Sequence, residues 1–345
     1  MNYYRIINRN NLQFDFLFFR DSNLSYEEEI RELGGNSYTI CNPKNVILFR
    51  KELKLFLENH KNEYEIVHIH DAIFARFMYD IIKKAGIKQV IIHSHATNYS
   101  DRKLSGLRNS LLCHNIHKYA DTLFACSNAA GRFMFSQCEF YVMNNAICIQ
   151  KYQFSPQIRS YLRKKMNLLD CFVVGHVGAF VNQKNHVFLL DIFSEIIKKI
   201  PNSILLLAGD GPLFHEIKEK ANVLGIQDRI LFLGKRSDVD ELYQVMDMFV
   251  LPSLFEGLPM VGVEAQCAGL PIVMSIEITT EACVGNCLFI DLSENKEIWA
   301  EKIIDLYKKS KRNREEAVNA ISLKGFDIAV ETKKLEMKYY ELVRG

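Results

Sequence analysis

Short apolar runs of about five residues alternate with helical runs of about ten to fifteen along nearly the whole chain, and this pattern leaves few folds open. Strands are expected at Phe14–Phe19, Ser37–Ile40, Ile66–His70, Gln89–His93, Thr122–Cys126 and Phe140–Met143. After an aperiodic stretch, Asn144–Phe154, and the turn pair Ser155-Pro156, a second series follows at Phe172–His176, Ser203–Ala208, Ile230–Leu233, Met248–Leu251, Ile272–Met274 and Leu288–Ile290. Helices are expected between them, including Val46–Asn59, one long helix at about 105–119 and a last amphipathic helix at Ala329–Val343. Strand-helix alternation of this kind gives an α/β fold with parallel sheets covered on both faces. The breaks divide the chain into a first domain at 1–150, a second at 151–328 and a C-terminal helix at 329–345 that packs back on the first. Two doubly wound halves imply a cleft, with ligands at the carboxyl ends of the strands. His70, His93, His95, the Gly178 loop, Gly209, Gly234 and Glu256 fall at such ends.

One stretch carries more chemistry than the rest, Pro252 to Pro271. The apolar run Met248–Leu251 feeds a loop, Pro259 stands at an expected first helical position, and Gly269 and Pro271 stop the helix after about three turns. A loop that ends at a helix N-terminus suits a phosphate or diphosphate. Glu256 and Glu264, spaced Glu-x7-Glu, are poor phosphate ligands but good acceptors for sugar hydroxyls. The stretch reads as a nucleotide-sugar clamp.

Bulk properties narrow the alternatives. The 345 residues are 48% hydrophobic and 24% charged with a net charge of +2, so nothing demands a nucleic-acid partner. Nine cysteines are scattered without a Cys-x-x-Cys pair, which argues for small buried hydrophobes in a reducing cytoplasm and against a zinc site or disulfide framework. No apolar run approaches the roughly 18 residues of a membrane span, and the first residues do not read as a signal peptide. Gly209-x-Gly211 after a strand lacks the third glycine of a dinucleotide fingerprint, so a nicotinamide dehydrogenase rests on that pair alone.

The Glu256-Gly-Leu-Pro-x4-Glu264 block resembles the donor site of family-4 retaining glycosyltransferases. Further matching segments are Val67-His-Ile-His70, His93-Ser-His95, Ala125-Cys-Ser127, Gly175-His-Val-Gly178, Gln183-Lys-Asn185, Gly209-Asp-Gly-Pro212 and Gly234-Lys-Arg236. In detail the chain looks like bacterial transferases that assemble capsular or exopolysaccharide units. The resemblance implies the GT-B fold, two Rossmann-like domains facing across a cleft. It implies a UDP- or GDP-sugar donor, a glycan or lipid-linked acceptor and no metal or other cofactor.

By the same resemblance, Glu264 would hold the donor ribose, while Glu256 with Gly257, Leu258, Pro259 and Met260 would face the sugar and diphosphate. Lys184 would neutralise a phosphate, with Gly178, Gly209, Gly211 and Arg236 lining the donor site, and His95 would contact the sugar. The family's Gly-Arg-Phe is here Gly178-Ala179-Phe180, so the second cation of the diphosphate pair is missing unless Lys235 or Arg236 replaces it.

Each His-x-His pair is expected to send only one ring toward the cleft, and no metal-ligand spacing is seen. His95, at a strand end beside Thr97 and Asn98, is the better catalytic candidate. The segment Asp101 to Lys118 mixes Arg102, Lys103, Arg108 and Lys118 with Leu104, Leu107, Leu111 and Leu112, and reads either as a peripheral contact with an anionic membrane or as a solvated basic face. Residues 2–8 read as the end of a helix, so the first strand and glycine-rich turn of such a domain are not in the sequence. A catalytically impaired donor-binding partner of another transferase is therefore the alternative to an active enzyme at the inner membrane face.

Overall fold

The computed structural model describes residues 1–20, 26–95, 99, 103–310 and 314–344. The chain forms two compact units, Met1–Ala146 with Ile328–Gly345 and Ile147–Asp327. Within the second unit the two ends of the segment lie together, Ile147 N–H donating to the Phe326 carbonyl at 2.9 Å.

The first unit holds β1 (Phe16–Phe19), β2 (Ser37–Ile40), β3 (Ile66–Ile69), β4 (Gln89–Ser94), β5 (Thr122–Ala125) and β6 (Tyr141–Val142). β1 and β2 pair parallel as a sheet of their own, and β3-β4-β5-β6 form a second parallel sheet. Among the described residues no strand joins β1 to β3. The C-terminal helix, Ile328–Arg344, belongs to this unit, with Leu335 and Tyr339 packed on Ile91, Phe124 and Met143.

In the second unit β7 (Phe172–Val177), β8 (Ser203–Ala208), β9 (Ile230–Phe232), β10 (Met248–Leu251), β11 (Ile272–Ser275) and β12 (Cys287–Ile290) lie in the order β12-β11-β10-β7-β8-β9, all parallel. Read from β9, this is the doubly wound order 3-2-1-4-5-6. Every residue of β7, β10 and β11 is buried, as expected of strands covered on both faces. Successive side chains supply opposite cores. Val174, Leu205, Leu207 and Val250 pack with Phe193 and Trp299, while Val173, Leu206, Phe249 and Leu251 pack with Tyr243 and Ala265. Gly175 is required in β7 because Met246 lies over it; a Cβ there would stand 2.1 Å from the Met246 sulfur.

Helix starts follow their capping residues. Asn45, Ser127, Ser155 and Asn295 each accept a backbone N–H in the first turn, and Pro156 follows its cap directly. The expected single helix at about 105–119 is instead a helix at Lys103–Cys113, a left-handed Asn115 (φ 54°) and a 3-10 turn at Ile116–Tyr119. None of the nine cysteines is in a disulfide, but only Cys113, Cys126 and Cys267 are buried, and Cys148 is exposed, which corrects the expectation of buried thiols.

Candidate functional site

β7 and β10 are neighbours although two strands separate them in sequence, so the strand order reverses between them. The chain leaves β7 into the Gly178 loop and leaves β10 into the Pro252 loop. Above such a reversal an open parallel sheet has a ready crevice for a ligand. The loops after β8 and β9 join the same edge: Gly178 N–H donates to Ala208 O and Gly209 N–H to Gly234 O, each at 2.9 Å. Gly209 has φ +148°, and a Cβ on it would stand 1.9 Å from the Gly178 oxygen. At Gly211 a Cβ would meet the Phe180 oxygen at 2.6 Å. The two glycines thus let one loop backbone lie directly on another.

Lys184 and Glu256 are brought together by those loops. Lys184 ends a 3-10 turn at Asn182–Lys184, and its stem passes 3.2 Å from where a Gly178 Cβ would lie. Its ammonium is paired with Glu256 Oε1, the two side chains being 15% and 9% exposed. Ser253 Oγ donates to the same carboxylate at 3.1 Å and Gln183 Nε2 to its other oxygen at 3.3 Å. Asn185 Nδ2 holds the Pro252 carbonyl at 3.0 Å, and Leu254 N–H reaches Gln183 O at 2.8 Å. Lys184 is therefore half of a largely buried ion pair. Ser253 and the second contact of Gln183 were not legible as site features, because neither residue type points to a ligand by itself.

The helix after the loop is Met260–Cys267, eight residues, with Pro259 as its N-cap (φ −72°, ψ 101°). This corrects two expectations: Pro259 stands one position before the helix, and the helix has about two turns, not three. No side chain caps its N-terminus. Gly269 ends it at φ +70°. Gly257 and Leu258 lead into it, and Leu258 packs on Val263 and Ile149 below. Glu264 is half-buried, accepts a hydrogen bond from Tyr243 OH at 2.9 Å, and is pushed above the ordinary carboxylate range by burial, against the pull of Tyr243 and Tyr152. Arg236 is turned to Asp238, with Nε donating to Oδ1 at 2.8 Å, and is 41% exposed. Ala179 is exposed at the tip of the Gly178 loop.

His95 follows β4 and is exposed, its ring stacked on His93 at 4.1 Å and its Nε2 2.8 Å from His70 Nδ1. Desolvation against the neighbouring rings lowers its pKa. The expectation that each His-x-His pair sends only one ring to a given side is wrong. Residues two apart on a strand share a face, so His68 stacks on His70 and His93 on His95. Thr97, Asn98 and Arg102 lie outside the described residues, as does the Lys103 side chain.

Comparison with known proteins places this geometry. Residues 171–309 match the family described as Glycosyl transferases group 1. The Bacillus subtilis (strain 168) protein named glycosyltransferase EpsF is 32% identical over 344 residues, covering 95% of this chain and 88% of that one. An Escherichia coli UDP-Gal:alpha-D-GlcNAc-diphosphoundecaprenol alpha-1,3-galactosyltransferase is 27% identical over 88% of this chain and 83% of its own. Among solved structures, Anabaena Alr3699/HepE in complex with UDP-glucose matches with a TM-score of 0.74 and 19% identity, over 95% of this chain and 99% of that one.

Proposed function

This chain belongs to the group-1, family-4-like glycosyltransferases of bacterial polysaccharide synthesis, with the GT-B fold, and from that premise we propose how it works. It transfers a hexose-type sugar from a nucleoside diphosphate donor to a glycan or lipid-linked acceptor, with retention of the anomeric configuration. The bond from the anomeric carbon to the donor phosphate breaks, the diphosphate leaves with the electron pair, and the acceptor hydroxyl adds to the same face and passes its proton to a departing phosphate oxygen. The unit Ile147–Asp327 binds the donor, and acceptor handling, with His95, falls to the other unit.

The observation that carries this reading is the Lys184–Glu256 pair beside an uncapped helix N-terminus at the sheet's point of reversal. Charge developing on the departing diphosphate needs donors already in place, and one such contact is worth about 3–4 kcal/mol in the transition state. Lys184 and the backbone N–H groups of Gly257, Leu258 and Met260 are those donors, Pro259 having no N–H, so the proposal uses no metal at the diphosphate. Glu256 then faces the sugar hydroxyls and Glu264 the ribose. A UDP-sugar donor has support in the UDP-Gal and UDP-glucose named for the relative and the solved structure, and a lipid-linked acceptor in the diphosphoundecaprenol of the first.

A peripheral membrane contact by the helix Lys103–Cys113 agrees with such an acceptor. Its Leu104, Leu107 and Leu111 are 87%, 65% and 66% exposed, one apolar ridge with Arg108 beside it. No helix among the described residues is long and apolar enough to cross a membrane.

Release of UDP from a UDP-hexose, with membrane extract supplying the acceptor, tests the proposal. It is expected to fall at least about 100-fold in Lys184→Ala and in Glu256→Ala. Wild-type turnover retained in both variants would end it. Saturable UDP binding without turnover by the wild type would instead favour a donor-binding partner, a reading supported by the neutral Ala179.

A further inference from the structure

His176 lies near the end of β7, one of the two strands at the sheet's reversal, and is fully buried. Its Nδ1 stands 2.8 Å from the Val250 carbonyl of β10, the other of those strands. A carbonyl only accepts, so Nδ1 carries the proton and, in the neutral ring, Nε2 keeps a lone pair. Desolvation holds the ring neutral by pushing its pKa well below the ordinary histidine range. Among the described residues nothing hydrogen-bonds that Nε2, although it is sealed from solvent. A buried polar atom left without a partner costs about 1–3 kcal/mol, so the orphan calls for a reason.

The place of that nitrogen supplies one. A Cβ on Gly178 would stand 3.1 Å from His176 Nε2 and 3.2 and 3.3 Å from Cε and Cδ of Lys184. The free lone pair and the end of the lysine stem thus crowd one point, which glycine leaves empty. An ammonium has three N–H groups to give, and Glu256 Oε1 takes one. His186, at the start of the helix His186–Lys199, closes another edge of the ring, with centres 4.6 Å apart, and Phe180 stacks on it at 4.3 Å. Both nitrogens of His186 are also unpartnered. With both rings held neutral, the wall behind Lys184 offers acceptors and no competing charge.

We propose that His176 is the positioning residue of Lys184. As an incoming diphosphate draws the ammonium from Glu256, His176 Nε2 takes one N–H and leaves another aimed at the phosphate. The bond to Val250 fixes the ring, so the lysine turns between two set acceptors and gives up less rotamer freedom when the nucleotide arrives. His176 itself touches no substrate. The role rests on nucleoside-diphosphate binding by the unit Ile147–Asp327 and names a residue which that reading leaves unused. The motif Gly175-His-Val-Gly178 does not reveal it, since alternation along β7 tells only which face His176 takes.

The test is calorimetric titration of UDP, with GDP in parallel, into full-length wild type, His176→Asn and His176→Gln, and into both variants in a Lys184→Ala background. An asparagine amide keeps a donor for Val250 O but puts nothing at the Nε2 position, whereas a glutamine carbonyl reaches that position and gives up the bond to β10. His176→Asn is expected to weaken nucleotide binding at least about tenfold, the worth of a hydrogen bond to a charged group, and His176→Gln clearly less. A purely structural histidine would give the opposite order. In the Lys184→Ala background both replacements are expected to change affinity by less than about twofold, because the effect passes through the lysine. Nitrogen-15 histidine spectra of the wild type need no buried substitution: the His176 Nε2 signal is expected to shift on accepting an N–H when nucleotide is added, and to stay in place in Lys184→Ala. Wild-type affinity in His176→Asn, equal losses with and without Lys184, or an Nε2 signal unmoved by saturating nucleotide would overturn this role and leave donor binding standing. A wild type that binds neither nucleotide would overturn both.

Discussion

Glu264 carries its carboxyl half-buried between Tyr243 and Tyr152, and the protein raises its pKa to keep it there. A carboxyl raised in the folded state holds a proton that the unfolded chain has already released. Its contribution to stability is therefore full below the ordinary carboxylate range and is lost as pH rises through the folded value. Glu264→Gln is expected to match the wild type near pH 4 and to be more stable at pH 7, measured by urea unfolding at both. A less stable variant at pH 7 would show that the carboxylate is held by more than its two tyrosines. Glu256 is held differently, its charge balanced directly by Lys184 and its oxygens shared with Ser253 and Gln183. Both acids were legible in sequence because their block is local. Their pairings were not, since Lys184, though singled out by its motif, and Tyr243 stand 72 and 21 residues away and meet them only through the fold.

Among the elements, the loops at the carboxyl edge of the second sheet owe their closeness to glycine, and two positions separate strain from contact. Gly209 lies at φ +148° with the Gly178 carbonyl where a Cβ would go, whereas Gly234, at φ +64°, has open space around it. Gly234→Ala is expected to cost about 1–2 kcal/mol, the penalty of a left-handed residue. Gly209→Ala adds a backbone collision and is expected to cost clearly more and to weaken UDP binding as well. Thermal unfolding with and without UDP reads both effects, and equal costs would show that the loop relaxes freely. The Gly209-x-Gly211 turn was visible in sequence, but its purpose was not: the missing side chains make room for neighbouring backbone at Gly178 and Phe180. Strand and helix identities were largely legible from apolar period and capping residues. The break of the helix near Asn115 was not, because Ile116 continues the apolar spacing of Leu112 past Cys113 and only the left-handed residue reveals the turn.

At the scale of the whole molecule, six imidazoles, those of His68, His70, His93, His95, His176 and His186, are pushed below their ordinary range, with desolvation the main cause. His186 is lowered to about 4. Such groups bind protons more readily in the unfolded chain, so their contribution is present above the ordinary histidine value of about 6.5 and is lost as pH falls toward 4. The protein is thus expected to lose unfolding midpoint steadily between pH 6.5 and 4.5; a flat profile across that window would contradict the desolvation of these rings. The two-unit α/β organisation could be read from the chain because each strand-helix repeat announces itself locally. The separation of β1-β2 from β3-β6 is a matter of long-range pairing, which apolar period does not report.

The central claim is that the unit Ile147–Asp327 holds a nucleoside diphosphate against Lys184 and the start of the helix Met260–Cys267. Calorimetric titration of UDP, with GDP in parallel, into wild type and Lys184→Ala tests it most directly. The account predicts saturable one-site binding of one of the two nucleotides, weakened about tenfold or more in the variant, as loss of a charged contact of about 1.5–3 kcal/mol requires. No binding of either nucleotide by the wild type, or equal affinity in the variant, would contradict it.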